Sequence, residues 1–352
     1  IKTSWGFLTT RQKVVYGLLI VGRMSANILD LAGIAAIGLL VMAVASGEID
    51  VDLAGLYRLR IDETPPEFIA GLVLLAAVSF LLKASFNLLL QLALVKFMAG
   101  IEVRASRQLA EYLLTGSLSE LRRFSQADIQ YAVNASTTAM YSGILNAIAS
   151  IITDAALMLT ILGAFVLLNP VAAIIVFVYL AVVIVAIQYV IGERLKQIGR
   201  NVNKGSIAST GSILDSVASF REVAVLKKQS YFLRRFSDAR WLLAKTKATQ
   251  VVLKSVPRLI IEQGLMIGVL GFVGWQILSN GAAAGLAFVG VFVVGSIRII
   301  GAVIPIQANY STLKTTVVKA EMAQQLQSER KERAAEREAS QRALQASPPL
   351  ES

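Results

Sequence analysis

Residues 219–236 read Ser219-Phe220-Arg221-Glu222-Val223-Ala224-Val225-Leu226-Lys227-Lys228-Gln229-Ser230-Tyr231-Phe232-Leu233-Arg234-Arg235-Phe236. They form the middle of a basic segment, 192–254, set between two apolar spans. Through this segment apolar side chains recur at helical spacing at Ile207, Ile213, Leu214, Val217 and Phe220. The pattern predicts two long helices that leave a membrane and are joined at their far end by a short aromatic-basic helix. A tip of that shape suits docking onto another protein domain.

Composition sets the frame. A hydrophobic fraction of 55% with 16% charged residues and a mean hydropathy of +0.64 is more apolar than a soluble core of this length requires, so the surplus faces lipid. The chain has no Cys and no His, which excludes disulfides, thiolate chemistry and the commonest general base and metal ligand. Its net charge of +11 falls in segments flanking apolar spans, so anionic headgroups and the positive-inside rule explain it and nucleic acid is not an expected partner. The chain starts with Ile1, as a fragment or a processed product would, and no signal-peptide cleavage pattern follows.

Taken in order, residues 1–13 carry Trp5, Phe7, Leu8, Arg11 and Lys13, the composition of a short interfacial helix. Apolar spans are expected at about 14–45, 68–98, 141–168, 171–191, 259–278 and 283–306. An acidic loop over 47–67 ends in Pro65-Pro66, while Asn169-Pro170 and Ser279-Asn280-Gly281 make tight turns. The intervening excursions, 99–140 and 192–257, are long, and the second is strongly basic. In the first, helix should end near Gly116-Ser117, leaving Leu118 to Phe124 as a short amphipathic piece, and Ser125 to Asp128 offers cap chemistry to the next helix. Positive-inside asymmetry places both excursions and both termini in the cytoplasm, with six spans between the ends. Residues 327–352 are charged and helix-prone before Ser347-Pro348-Pro349, the pattern of a linker or a solvated tail. The expected fold is an all-α membrane protein of six transmembrane helices with long cytoplasmic extensions.

Ionisable groups inside apolar spans are costly and face a cavity or a partner helix. Arg23, Asn27 and Asp30 share one face of the first span. Ser79, Lys83, Asn87 and Gln91 recur every four residues along the second, and Asn146, Ser150 and Asp154 along the third. Arg298 lies in the sixth span, and Arg258 with Glu262 reads as a helical ion pair near the surface. The cavity candidates are therefore Arg23, Asn27, Asp30, Lys83, Asn87, Asp154 and Arg298, with inter-helix pairing as the structural alternative. Pro257 and Pro305 either kink the fifth and sixth helices or mark their boundaries.

Six spans, minimal external turns and two long internal excursions resemble the transmembrane domain of ATP-binding-cassette exporters, and the resemblance covers nearly the whole chain. Its local carriers are Arg221-Glu222, Leu226 and Tyr231-Phe232-Leu233-Arg234-Arg235-Phe236, similar to the second coupling segment of that family. Asp30-Leu31-Ala32-Gly33-Ile34-Ala35 is similar to an acid-x-x-Gly-Ile pattern of the subgroup that includes lipid-linked oligosaccharide flippases. Two departures stand out. Lys227-Lys228-Gln229 replaces the family's Gly-basic-acid run, and the first coupling segment, 116–128, has a single aromatic, Phe124. The resemblance implies a type 1 exporter fold whose tips contact nucleotide-binding domains through Leu118, Leu121 and Phe124, and through Lys228, Tyr231, Phe232, Arg235 and Phe236.

It also implies ATP and Mg2+ on those domains, none on this chain, and a second copy of the transmembrane domain, in a bacterial inner membrane. No G-x-x-x-x-G-K-[ST] run is present, so the nucleotide-binding domain is expected beyond Ser352 or on a separate subunit. Three rival functions remain at this point: an ion-gradient transporter with Asp30 and Asp154 as proton carriers, a membrane-embedded lipid-modifying enzyme, and a scaffold that holds a regulator.

Overall fold

The computed structural model describes residues 6, 8–46, 49–52, 58–61, 66–116, 122–168, 170–280 and 282–346. Helix dominates. In chain order it comprises α1 (Thr10–Ser46), a hairpin of β1 (Ile49–Asp52) and β2 (Arg58–Ile61), α2 (Pro66–Leu114), α3 (Gln126–Tyr131), α4 (Ile144–Leu168), α5 (Pro170–Ala218), α6 (Phe220–Val225), α7 (Gln229–Asn280) and α8 (Ala282–Ala346). Among the described residues, two stretches, Glu67–Leu114 and Gln126–Gly163, are long and apolar enough by composition to cross a membrane. On α2 the exposed residues Leu74, Leu81, Leu88 and Val95 repeat every two turns, an apolar stripe of the kind that faces lipid.

Two apolar lobes share a common wall. Tyr16 and Ile20 of α1, Leu94, Met98 and Ile101 of α2, Ile144 and Leu145 of α4, and Leu313 and Ala320 of α8 pack as one cluster. Ile161 of α4, Ile187, Ile191 and Leu195 of α5, Ile261 of α7 and Val303 of α8 form the other. Helices α4 and α8 thus belong to both lobes, with α1 and α2 on one side and α5 and α7 on the other. Beyond the apolar spans, glycines let the helix backbones approach closely. A Cβ on Gly199 would sit 3.5 Å from the Thr315 Cα, and one on Gly205 3.4 Å from the Leu243 Cα.

Several local expectations need correction. The acidic loop over 47–67 contains an antiparallel hairpin whose register sets Asp50 opposite Arg60 and Asp52 opposite Arg58. Pro257 and Pro305 mark no boundary: each lies well inside a continuous helix, α7 and α8 respectively. The charged, helix-prone stretch from residue 327 agrees with expectation: it continues α8 as helix to Ala346, just before Ser347-Pro348-Pro349.

The short helix at the tip also differs from its expected position. It is Phe220–Val225, and Tyr231, Phe232 and Phe236 belong instead to the first turns of the 52-residue α7. The break falls at Lys227, whose φ of 51° turns the chain out of the helix while the Lys228 N–H donates to the Val223 carbonyl at 3.1 Å.

The third long helical run begins at a capping box. Ser125 Oγ accepts from the Asp128 N–H at 3.1 Å, and the Asp128 carboxylate accepts from the Ser125 N–H at 3.1 Å. Between α3 and α4 the chain stays helical but is wound twice as π-helix, over Ala132–Ser136 and Ala139–Gly143. Such turns were not foreseen, since π winding changes no residue type that periodicity registers.

Candidate functional site

The polar residues of α1, α2 and α4 converge on the wall between the lobes. Arg23 is buried, 7% exposed, and its Nε donates to Asn87 Oδ1 of α2 at 3.3 Å. One turn on, buried Asn27 donates through Nδ2 to the Thr153 carbonyl of α4 at 3.3 Å. The neighbouring Asp154 carboxylate accepts from the Asn309 side chain of α8 and lies in the electrostatic field of Arg23. Lys83 stands one turn before Asn87 on the same face of α2, half-buried.

Arg23, Asn27, Asn87 and Asp154 therefore form one cluster joining α1, α2, α4 and α8. Arg23 and Asn87 satisfy each other, Asn27 is met by the Thr153 carbonyl and Asp154 by Asn309, which is what buried polar groups away from water require. The side chains of Asp30 and Arg298 lie outside the described residues. Sequence reasoning missed Asn309, and it also missed the Gln188 Nε2 to Gln307 Oε1 bond of 2.8 Å that ties α5 to α8. Both Gln307 and Asn309 lie just past the expected end of the sixth span at 306, where polar residues read as ordinary solvent-facing helix. The pair Arg258–Glu262 does form, Nε to Oε1 at 2.9 Å on the α7 surface.

At the α5–α7 tip, apolar residues lie open to solvent. Phe220, Val225, Leu226, Tyr231 and Leu233 are each at least 62% exposed. Tyr231 and Phe232 meet edge to face with centroids 5.4 Å apart, and Phe232 and Phe236 are half-buried. Arg235 Nη2 reaches Asp215 Oδ2 of α5 at 3.5 Å, bracing the two arms beside the tip, and Lys228 is exposed. Sequence reasoning left Phe220, Val225 and Leu226 out of the contact set, because apolar residues at helical spacing are read as packing inward.

In the first excursion, Phe124 turns inward against Leu109, Ala132 and Leu326, and Leu118 and Leu121 lie outside the described residues. Nearby, Glu102 of α2 accepts from Thr138 Oγ1 at 2.7 Å and from the Ser142 hydroxyl, holding the second π turn, while Ser106 Oγ of α2 donates to the Val133 carbonyl of the first at 2.7 Å.

Among curated proteins nothing matches the sequence. Among solved structures, the fold is similar to that of a bacterial Atm1-family ABC exporter with ATP bound, with a TM-score of 0.66 at 14% identity. The alignment covers 90% of this chain and 53% of the other, so the chain spans about half the length of that exporter. The family model described as the ABC transporter transmembrane region matches residues 34–313, most of the chain. The interlocked helices, the long excursions and this match agree, and the chain belongs to the ABC transporter transmembrane family, integral to a membrane.

Proposed function

We propose that this chain is the membrane domain of an ATP-driven exporter, working as a pair of copies with six spans each and both termini in the cytoplasm. Nucleotide-binding domains, fused or separate, bind ATP and Mg2+ and dock on the α5–α7 tip. The substrate pathway passes the cluster of Arg23, Asn27, Asn87 and Asp154, with Asp30, Lys83 and Arg298 as further lining candidates. ATP-driven closure of the docked domains moves the tips, and the helices switch between two packed states as rigid bodies.

One observation carries this reading: the open apolar surface at Phe220, Val225, Leu226, Tyr231 and Leu233 stands far outside any lipid. At 52 residues, α7 is ~78 Å long against ~30 Å of hydrocarbon core, so the tip projects tens of ångströms into water. A surface of that kind marks a protein interface. Residues 1–13 as an interfacial helix and 327–352 as the link toward the nucleotide-binding domain complete the proposed domain plan.

The test is the double variant F220A/Y231A in the intact transporter. ATP hydrolysis and the ATP-dependent change in spin-label distance between the two copies should separate, with the distance change reduced about tenfold or more, as loss of apolar anchors predicts. An unchanged distance response would refute docking at this tip.

A further inference from the structure

A second charged constellation lies on the water side of the polar cluster, where α7 and α8 run antiparallel. Lys254 Nζ of α7 reaches Thr312 Oγ1 of α8 at 3.5 Å. Lys247 is two turns back along α7 and Lys319 two turns on along α8, so the same register sets Lys247 opposite Lys319. Lys254 and Lys319 are half-buried and Lys247 is exposed at the rim. Burial lowers the pKa of Lys254, and the Lys319 charge lowers it further; for Lys319 the causes are burial and then Lys247.

Among the described residues no ion pair reaches these three ammonium groups. Of the carboxylates on neighbouring helices, Glu193 pairs with Lys196 and Glu262 with Arg258. The fourth cation on this stretch of α8, Lys314, lies over the Tyr310 ring at 5.0 Å.

The backbone beneath Lys319 is held firmly. The Val318 carbonyl accepts from Asn203 Nδ2 of α5 at 3.0 Å. Buried Ser136 donates to the Lys319 carbonyl at 2.7 Å and accepts from the Ala323 N–H at 2.9 Å. Three like charges have thus been gathered along one seam, Lys254 and Lys319 partly desolvated and Lys319 on a firmly held backbone, with no carboxylate among the described residues, Glu321 included, in an ion pair with any of them. Such a cost is structurally idle unless an anion offsets it.

We infer that the α7–α8 seam at Lys254, Lys319 and Lys247 binds a phosphate-type oxyanion, with the Thr312 hydroxyl as a neutral partner. This deepens the export reading by giving the chemical class of group drawn in from the water side. The oxyanion has two possible sources, a soluble phosphorylated compound or a lipid headgroup. Depth favours the soluble one: Lys319 lies 13 residues past the apolar span ending near 306, about 20 Å along the helix axis.

The experiment is acylation footprinting of lysines by mass spectrometry on the intact transporter in nanodiscs, with ADP filling the nucleotide sites. Inorganic pyrophosphate in phosphatidylcholine discs should slow acylation of Lys254 and Lys319 about tenfold or more, the scale of a charge-assisted contact, and leave exposed Lys245 unchanged. In Lys254→Met the protection of Lys319 should fall. Protection by phosphatidylglycerol discs without pyrophosphate would assign the oxyanion to lipid. Equal acylation under all conditions, or protection of Lys319 that survives Lys254→Met in full, would overturn the site. Because footprinting reads occupancy alone, loss of ATP coupling with protection intact would sink the export reading and leave the site standing.

Discussion

Lys227 occupies the left-handed region at φ 51°, a conformation that costs a side-chain-bearing residue roughly 1 kcal/mol and glycine almost nothing. It does so at the position where the resemblance expects glycine, the residue that adopts this conformation without strain. Lys227→Gly should raise the apparent melting temperature by about 1–3 °C, measured by scanning fluorimetry of the purified transporter. A drop would mean that the lysine makes a compensating contact. At this scale the sequence was informative about which residues were unusual but silent about how they were met. Arg23 illustrates the limit. Its position in an apolar span marked it as costly, yet its acceptor, Asn87, comes from a helix 64 residues away and depends on how α1 and α2 pack.

Among the elements, the run from α3 into α4 departs furthest from a regular pattern. Its capping box was visible as Ser125 and Asp128, since both halves of that motif are local in sequence. The π turns that follow were not, because they answer to tertiary partners: Glu102 of α2 takes the Thr138 and Ser142 hydroxyls, and Ser136 inserts its hydroxyl between the Lys319 carbonyl and the Ala323 N–H of α8. Those two groups are the acceptor and donor of a single α8 turn, so Ser136 splices the two helices together. Ser136→Ala should cost about 1 kcal/mol, at the low end for a buried hydrogen-bonding group because α8 can close its own turn afterwards. Hydrogen exchange at Ala323 reports this directly: faster exchange is expected, and an unchanged rate would show that the splice carries no load. The misplaced tip helix follows the same logic. Residues 229–236 have the composition of a separate piece, but the break is set by one residue's backbone at 227.

For the whole molecule, the helical membrane class and the projecting excursions were legible from apolar spans and charge asymmetry, which are averages over tens of residues. What was not legible is that α4 and α8 belong to both lobes, because an apolar helix reads alike whether it has one neighbour or four. The α7–α8 seam also gives the molecule a pH response. Lys254 and Lys319 have pKa values below the usual 10.5, so the folded state releases protons before the unfolded chain does. Their charged forms oppose folding at neutral pH, and the penalty is relieved as pH rises through the lowered values toward 10.5. Lys319→Met should therefore raise the melting temperature at pH 7 and flatten its rise as the pH climbs toward 10.5; parallel curves for variant and parent would show the lysine fully solvated. The underwound run at 132–143 has a further consequence at this scale. Each residue added to or taken from a winding shifts the angular phase of everything beyond it by ~100°. Converting one π turn to α winding would swing the Asp154 face of α4 from the α8 wall toward a neighbouring helix while every backbone bond stays helical. Helix α4 can thus index like a gear tooth. Deleting Asn134 removes the residue in excess and fixes α winding without moving the face beyond it, so cysteines placed at 154 and 309 should still cross-link; loss of that cross-link would show that the π turn does not set the phase of α4.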